Sequence, residues 1–125
     1  MDIEHRYWQD SKVFPIMHTV VLKRDVFERN RWIAMNLLKA FEEAKDRSME
    51  RICDATAARV PLPWAFEHIR RVKAAFGDEF WPYGIEQNRT TLSTFLGFAF
   101  EQGVTRRLVS AEELFPSETH TRFRI

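Results

Sequence analysis

The amino-acid sequence predicts an α/β segment that is rich in helix and contains one or two strands. Near the start of the chain, a short run of apolar and β-branched residues has the pattern of a buried strand. Three later stretches repeat apolar residues every three or four positions, which is the spacing of one helix face. Proline and glycine residues separate these stretches, so the elements are expected to be distinct.

The run from Thr19 to Lys23 is interpreted as a strand. A short, continuous apolar run with two valines fits a strand that is covered on both faces. No second run of equal strength occurs in the chain, so the neighbours of this strand are expected to lie outside it. Segment 13–23 is therefore expected to expose apolar surface.

A capping-box pattern at Asp25 and Glu28 predicts a short helix over residues 26–29, and Asn30 is expected to cap the helix that follows. Three longer helices are predicted at about 30–53, 63–76 and 90–102. Their apolar stripes consist of Ile33, Leu37, Phe41, Ala44 and Ile52, then Ala65, Ile69, Val72 and Phe76, then Leu92, Phe95, Leu96, Ala99 and Phe100.

Individual residues predict where these helices begin or end. Gly77 is expected to end the second long helix, because glycine readily adopts the backbone conformation that follows a helix. Thr90 or Thr91 is expected to cap the third. Ser110 and Glu113 predict a capping box at a short helix over residues 111–115.

The chain is expected to form a single segment over residues 1–125, because it is short enough for one domain and contains no internal repeat. Its predicted parts are a leading loop at 1–12, a strand region at 13–24, a helical part at 25–116 and a loose polar tail at 117–125.

The composition excludes several classes of protein. Nineteen Lys plus Arg against eighteen Asp plus Glu leave a net charge of +1, which gives no global field to attract nucleic acid or anionic lipid. The single cysteine, Cys53, cannot form an internal disulfide, and the four histidines are not spaced as metal ligands. We therefore expect no metal, no cofactor, no nucleic-acid partner and no membrane partner.

The N-terminal sequence MDIEHRYWQD has neither the basic region nor the apolar core of a secretion signal. The expected location is the cytoplasm. A signal peptide upstream in a longer parent would instead predict a periplasmic protein.

His18 is the first candidate functional residue, because it lies where Pro15-Ile-Met leads into the predicted strand. Such junctions line ligand clefts in open α/β sheets, and a histidine there can bind an anion or phenol or transfer a proton near neutral pH. The alternative is an ordinary half-buried ring. Lys23 and Arg24 can clamp a carboxylate, although charges at a strand end are more often solvated.

Glu86, Asn88 and Arg89 form the second candidate group, because they follow the Trp81-Pro-Tyr-Gly84 loop and precede the predicted third helix. Backbone N–H groups and an arginine at such a place can bind an anion. The alternative is that Glu86 and Arg89 anchor the loop to the helix, which needs the same residue types.

At these residues the sequence resembles the C-terminal region of the 4,5-dihydroxyphthalate decarboxylase family, relatives of the type II periplasmic solute-binding proteins. The resemblance covers most of the chain. Its strongest windows are Phe14-Pro-Ile-Met-His-Thr-Val-Val with Arg24-Asp-Val, Ala40-Phe-Glu-Glu-Ala-Lys, Trp81-Pro-Tyr-Gly-Ile-Glu with Asn88-Arg-Thr-Thr-Leu, Glu101-Gln-Gly and Glu113-Leu-Phe. The family usually has Thr-Gly at Ser11-Lys12 and proline at Arg31 and Gln87, and its members are much longer.

The resemblance implies a type II periplasmic-binding-protein-like fold of two lobes, with the strand just past the hinge and His18 beside the cleft. It implies a decarboxylase acting on a dihydroxylated aromatic carboxylate. His18 would be the acid or the phenol partner, and Arg24, Glu86, Asn88 and Arg89 would bind substrate. The implied partners are a small aromatic carboxylate and the missing N-terminal lobe. The alternative function on this fold is a solute-binding receptor for an aromatic carboxylate.

Overall fold

A computed structural model describes residues 2–57 and 59–121 of the chain. Six α-helices and a short 3₁₀ helix follow one another in this part. They are α1 (Asp2–Ser11), α2 (Arg24–Arg29), α3 (Trp32–Cys53), α4 (Ala65–Phe76), α5 (Ile85–Glu101), α6 (Ala111–Leu114) and the 3₁₀ helix Ser117–Thr119.

The predicted strand is wrong: the described residues contain no strand, and Thr19 to Lys23 lies in an irregular stretch between α1 and α2. The expectation of an α/β segment with one or two strands, and of a type II periplasmic-binding-protein-like sheet, is corrected accordingly. A strand exists only through hydrogen bonds to a neighbour, and the backbone of residues 16–22 has no such partner in the described part. An apolar, β-branched run is therefore not sufficient to form a strand without a neighbouring strand to pair with.

The expected apolar exposure of segment 13–23 is observed. Five of its large apolar side chains are exposed: Phe14, Ile16, Met17, Val20 and Val21.

Residues 2–11, expected as a loop, form α1 instead. The helix ends at Ser11, because the next residue, Lys12, has a φ of 57° outside the helical region, and its N–H donates to the Trp8 carbonyl at 2.9 Å. The apolar signal for this helix is short, and its apolar residues do not form a buried stripe. Ile3 and Tyr7 have the right spacing, but both are exposed and bury no stripe.

Helix α2 begins earlier than predicted, and its cap is different. Lys23 is the N-cap residue and makes no side-chain capping bond, so the expected Asp25 capping box is wrong. The Asp25 carboxylate instead accepts a hydrogen bond from Arg29 at 2.9 Å, one turn later. An aspartate followed three residues later by glutamate can therefore lie inside a helix as well as at its start.

The boundaries predicted for α3 and α4 are confirmed within two residues. Gly77 follows α4 with a φ of 87°, a left-handed region that favours glycine. The charged face of α3 is solvated, and its Glu43 and Arg47 form an exposed i, i+4 ion pair. Neither α3, α4 nor any other helix of the described residues is long and apolar enough to cross a membrane.

Helix α5 begins at Ile85, about five residues before the predicted start. Its N-cap is Gly84, with a φ of 91°, and the predicted caps Thr90 and Thr91 lie inside the helix. Ile85 is 4% exposed and is separated from Leu92 by two helical turns on the same face. Ile85 thus joins Leu92, Leu96 and Ala99 of the predicted stripe in the buried face, whereas Phe95 and Phe100 of that stripe are exposed.

Helix α6 has the predicted capping box. The Glu113 N–H donates to the Ser110 hydroxyl at 3.4 Å, and the Ser110 N–H donates to the Glu113 carboxylate at 3.0 Å. The helix ends at Leu114, one residue before the predicted end. Together, these reciprocal bonds satisfy two backbone donors that a helix start leaves open.

The tail from Ser117 was expected to be loose, but its described residues are tied to the rest of the chain. Glu118 accepts a hydrogen bond from Arg31 at 2.7 Å, and one ring nitrogen of His120 lies 2.8 Å from the Phe115 carbonyl oxygen. The last part of the predicted tail, residues 122–125, lies outside the described residues.

The described residues divide into two compact units. The first unit contains the described residues up to Met35 and from Tyr83 onwards, and the second contains those from Asn36 to Pro82. The core of the first unit lies between α5 and α6. It is formed by Ile85, Leu92, Leu96 and Ala111, with Phe115 packed against it.

Helices α3 and α4 supply most of the second unit, which contains a buried charge. The Lys45 side chain is buried, and its Nζ lies 3.2 Å from Asp46 and 3.8 Å from Glu79. A buried ammonium group requires such partners, because leaving it unpaired in the interior costs on the order of several kcal/mol.

Candidate functional site

His18 lies in the irregular stretch between α1 and α2, and its side chain is exposed. Within the described part of the chain it makes no hydrogen bond or ion pair. The ring nitrogens are therefore open to a ligand or to water, since no protein group there fixes the tautomer. The expectation of a half-buried ring at a strand start does not apply, because the strand is missing.

One contact anchors this irregular stretch to helix α5. The backbone N–H of Phe14 donates to the Thr91 hydroxyl at 3.2 Å. Thr91 is 8% exposed, so the hydroxyl requires a partner inside the first unit. The contact holds the beginning of the stretch, four residues before His18, against the middle of α5.

Arg24 is the first residue of α2, and its side chain is exposed. It makes no ion pair with another described residue, in contrast to Arg29 in the same helix. Its neighbour Lys23 is exposed as well. Two cations thus lie a few residues after His18 without a carboxylate partner in the described part.

Glu86, Asn88 and Arg89 lie within the first two turns of α5 rather than before a helix. The Asn88 side-chain amide donates to the Gly84 carbonyl at 2.8 Å, which ties the helix back to its N-cap residue. Glu86 is exposed, and its carboxylate lies 3.8 Å from Arg89. These three residues are therefore neighbours through helical geometry.

Arg89 also bridges α5 to α6. Its Nη1 donates to the Glu112 carboxylate at 2.6 Å. This hydrogen bond raises the pKa of the Arg89 guanidinium and lowers the pKa of the Glu112 carboxyl from their ordinary values. The geometry supports the anchoring interpretation of Arg89, with the anchor joining two helices rather than a loop and a helix.

A second exposed ion pair supports α6, and its arginine also precedes α6 in the chain. The Arg107 guanidinium holds the Glu113 carboxylate at 2.5 Å. This bond, together with the Ser110 N–H, lowers the pKa of Glu113 from 4.5 to about 2. The short helix α6 is thus fixed by one arginine from α5 and one from the turn that follows α5.

The structure brings together three of the five residues that the resemblance assigns to the site. Glu86, Asn88 and Arg89 share the start of α5, whereas no hydrogen bond or ion pair joins His18 or Arg24 to them in the described part. The hydrogen bond from Phe14 to Thr91 links the stretch that contains His18 to the helix that contains Glu86, Asn88 and Arg89. No cluster of three or more His, Cys, Asp or Glu residues suitable for a metal ion occurs among the described residues.

Sequence reasoning missed two residues of this region. Thr91 is one of the two residues expected to cap the third helix, but it is instead a buried acceptor for Phe14. Glu112 was not considered, although it is the closer partner of Arg89. The predicted α6 placed Glu112 in a first helical turn, but nothing in the sequence indicates that this turn lies beside α5.

Replacing Arg89 by Ala is expected to loosen α6 from α5 and to lower the melting temperature by roughly a few degrees at most, since an exposed ion pair contributes little. Thermal unfolding followed by circular dichroism measures this change. Arg106→Ala is the matched control, because Arg106 is exposed and makes no ion pair in the described part. Equal melting temperatures for the two variants would contradict the anchoring role.

Comparison with known proteins gives one informative similarity. No family model matches the chain. The chain is 31% identical over 119 residues to a protein named 4,5-dihydroxyphthalate decarboxylase from Comamonas testosteroni. The alignment covers 95% of this chain and 36% of that protein, so the chain spans about a third of the relative's length. The resemblance predicted from the sequence is thus confirmed as similarity, over nearly the whole chain, to a 4,5-dihydroxyphthalate decarboxylase.

Proposed function

We propose that this chain supplies part of a decarboxylase that acts on a dihydroxylated aromatic carboxylate similar to 4,5-dihydroxyphthalate. The observation that carries the proposal is the 31% identity over 95% of the chain to a protein of that name. Because the chain spans 36% of that protein, the activity is assigned to the longer polypeptide and not to these 125 residues alone.

The proposed reaction exchanges a carboxylate for a proton. An acid donates a proton to the ring carbon that bears the carboxylate, the bond to the carboxylate then breaks, and its electron pair returns to the ring as CO2 leaves. 4,5-Dihydroxyphthalate would yield 3,4-dihydroxybenzoate. The site must supply an acid for the ring carbon, a partner for the phenol oxygens and a cation for the remaining carboxylate.

His18 is proposed as the acid or as the partner of a phenol oxygen. Its exposure and the lack of a partner in the described part support this role, since a proton donor must reach the substrate. Arg24 is proposed as a carboxylate anchor on similar grounds, because its guanidinium is exposed and pairs with no described carboxylate.

Arg89, Glu86 and Asn88 are proposed to line the substrate site at the start of α5, where backbone N–H groups favour an anion. Arg89 would have to share its guanidinium between Glu112 and the substrate, because the Glu112 carboxylate already occupies Nη1. Arg24 is therefore the stronger carboxylate anchor of the two.

A chimera tests this function. In it, the present chain replaces the matching 36% of the Comamonas testosteroni relative. We expect the chimera to release CO2 from 4,5-dihydroxyphthalate and to form 3,4-dihydroxybenzoate, measured by gas release and by chromatography. The same relative with its matching segment deleted is the control and should be inactive. A folded chimera that binds 4,5-dihydroxyphthalate but releases no CO2 would contradict the enzymatic function and favour a solute receptor.

A further inference from the structure

The first unit carries exposed apolar side chains on two segments that one hydrogen bond links. One group lies on the irregular stretch, where Met17 is 76% and Val21 is 84% exposed. The other lies on α5, where Phe95 is 66% and Phe98 is 49% exposed. We call the two groups together the apolar surface, defined by Phe14, Ile16, Met17, Val20, Val21, Phe95 and Phe98.

The contact between Phe14 and Thr91 joins the two groups. Thr91, Phe95 and Phe98 follow one another at spacings of four and three residues, so they lie along one side of α5. The irregular stretch meets this side at Thr91, where the Phe14 N–H donates to the hydroxyl. Phe95 lies about one helical turn, roughly 6 Å, further along. The hydrogen bond therefore fixes one end of the irregular stretch about one helical turn from Phe95.

A neighbouring side of α5, about 100° around the helix axis, is already occupied. Ile85, Leu92 and Leu96 face the core shared with α6. Phe95 and Phe98 take no part in that core. The helix is consequently apolar on two sides, and α6 covers one of them. The apolar surface of α5 is therefore wider than the stripe that α6 covers.

The backbone of the irregular stretch indicates which kind of molecule could cover the apolar surface. Residues 16–22 make no backbone hydrogen bond with the described part of the chain. Burying their side chains would also remove their N–H and C=O groups from water, which costs free energy unless the covering surface supplies hydrogen bonds. Another polypeptide can supply both apolar side chains and backbone hydrogen bonds, whereas lipid chains cannot.

We propose that the apolar surface is covered by polypeptide corresponding to the part of the decarboxylase relative that this chain does not span. The chain aligns with 36% of that relative, so almost two thirds of a protein of that length have no counterpart here. Exposed apolar patches of this kind mark interaction sites in soluble proteins. The proposal rests on the similarity to the relative and not on the chemistry proposed for His18.

Binding in trans tests the proposal. The probe is the Comamonas testosteroni relative without its matching segment, and isothermal titration measures its affinity for the 125-residue chain. Val21→Lys and Phe95→Lys are each expected to weaken binding at least about tenfold, because each inserts a charge into a surface that must lose water. The control Val104→Lys replaces a residue that is 75% exposed and lies outside the apolar surface, so it should change the affinity less than about twofold.

Hydrogen exchange gives an independent readout. Amide exchange at residues 16–22 should slow when the probe binds, since those groups gain hydrogen-bond partners. The relative's own matching segment serves as the positive control for binding. If that segment binds the probe and the present chain does not, or if Val104→Lys weakens binding as much as Val21→Lys, the proposal is overturned.

Two further outcomes would also overturn it. Formation of a stable dimer by the chain alone, abolished by Val21→Lys and Phe95→Lys, would assign the surface to a second copy. Binding to phospholipid vesicles with the same sensitivity would assign it to a membrane. Because no measurement here depends on CO2 release, failure of the binding is distinct from failure of the proposed activity.

Discussion

Replacing Leu96 by Ala is expected to destabilise the first unit by about 2–5 kcal/mol, the usual cost of truncating a buried leucine. Leu96 is 5% exposed and belongs to the small core that α5 and α6 share. The core has few other members, so the remaining side chains have little apolar mass with which to fill the cavity. A loss of this size is a large part of the total stability of a small unit, and the variant should be partly unfolded at room temperature.

Urea unfolding followed by circular dichroism measures this loss, and the adjacent residue gives a matched control. A Cβ added at Gly97 would meet no atom within 4 Å, and glycine inside a helix is less favourable than alanine by about 1 kcal/mol. Gly97→Ala should therefore stabilise α5 while Leu96→Ala destabilises it. If both substitutions change the unfolding midpoint by the same small amount, α5 and α6 do not share a core in solution.

The helices that could be predicted were those whose signals are local. Ser110 and Glu113 are three residues apart, so their reciprocal bonds follow from the sequence once a helix is expected there. Gly77 ends α4 because a single residue without a Cβ adopts the required backbone conformation. No distant part of the chain is needed for either feature.

The strand could not be predicted correctly, because a strand depends on a neighbour that the run from Thr19 to Lys23 does not contain. The β-branched residues of this run fit a pleated, half-buried surface, but the described chain offers no such surface. Helix α1 was missed for the opposite reason. Its apolar residues at helical spacing, Ile3 and Tyr7, are a single exposed pair, so the pattern that usually reveals a helix is too short to recognise.

In the candidate site too, contacts within one helix could be predicted from the sequence, whereas contacts between distant elements could not. The proximity of Glu86 to Arg89 follows from helical spacing. The bond from Arg89 to Glu112 spans 23 positions and depends on how α5 packs against α6. Likewise, the Thr91 hydroxyl meets Phe14 across 77 positions. The sequence could therefore indicate which residues carry useful chemistry, but not which of them the fold already employs to hold helices together.

Replacing His18 by Ala in the chimeric decarboxylase is expected to lower the turnover number by at least about a hundredfold. This is the usual scale for losing a positioned proton donor. The substitution should leave the melting temperature unchanged, because the His18 side chain is exposed and makes no hydrogen bond in the described part. Steady-state formation of 3,4-dihydroxybenzoate measures the turnover, and thermal unfolding measures the stability.

Two further variants separate a specific role of His18 from a general loss of charge or polarity. His68→Ala, which changes another exposed histidine in α4, should keep full turnover. Arg24→Ala should raise KM more than it lowers kcat, because a carboxylate anchor binds substrate and transition state alike. A proton donor acts in the transition state, so His18→Ala should lower kcat itself. If His18→Ala keeps full turnover in an active chimera, His18 is not the acid, and the proton must come from a residue of the relative's own portion or from water.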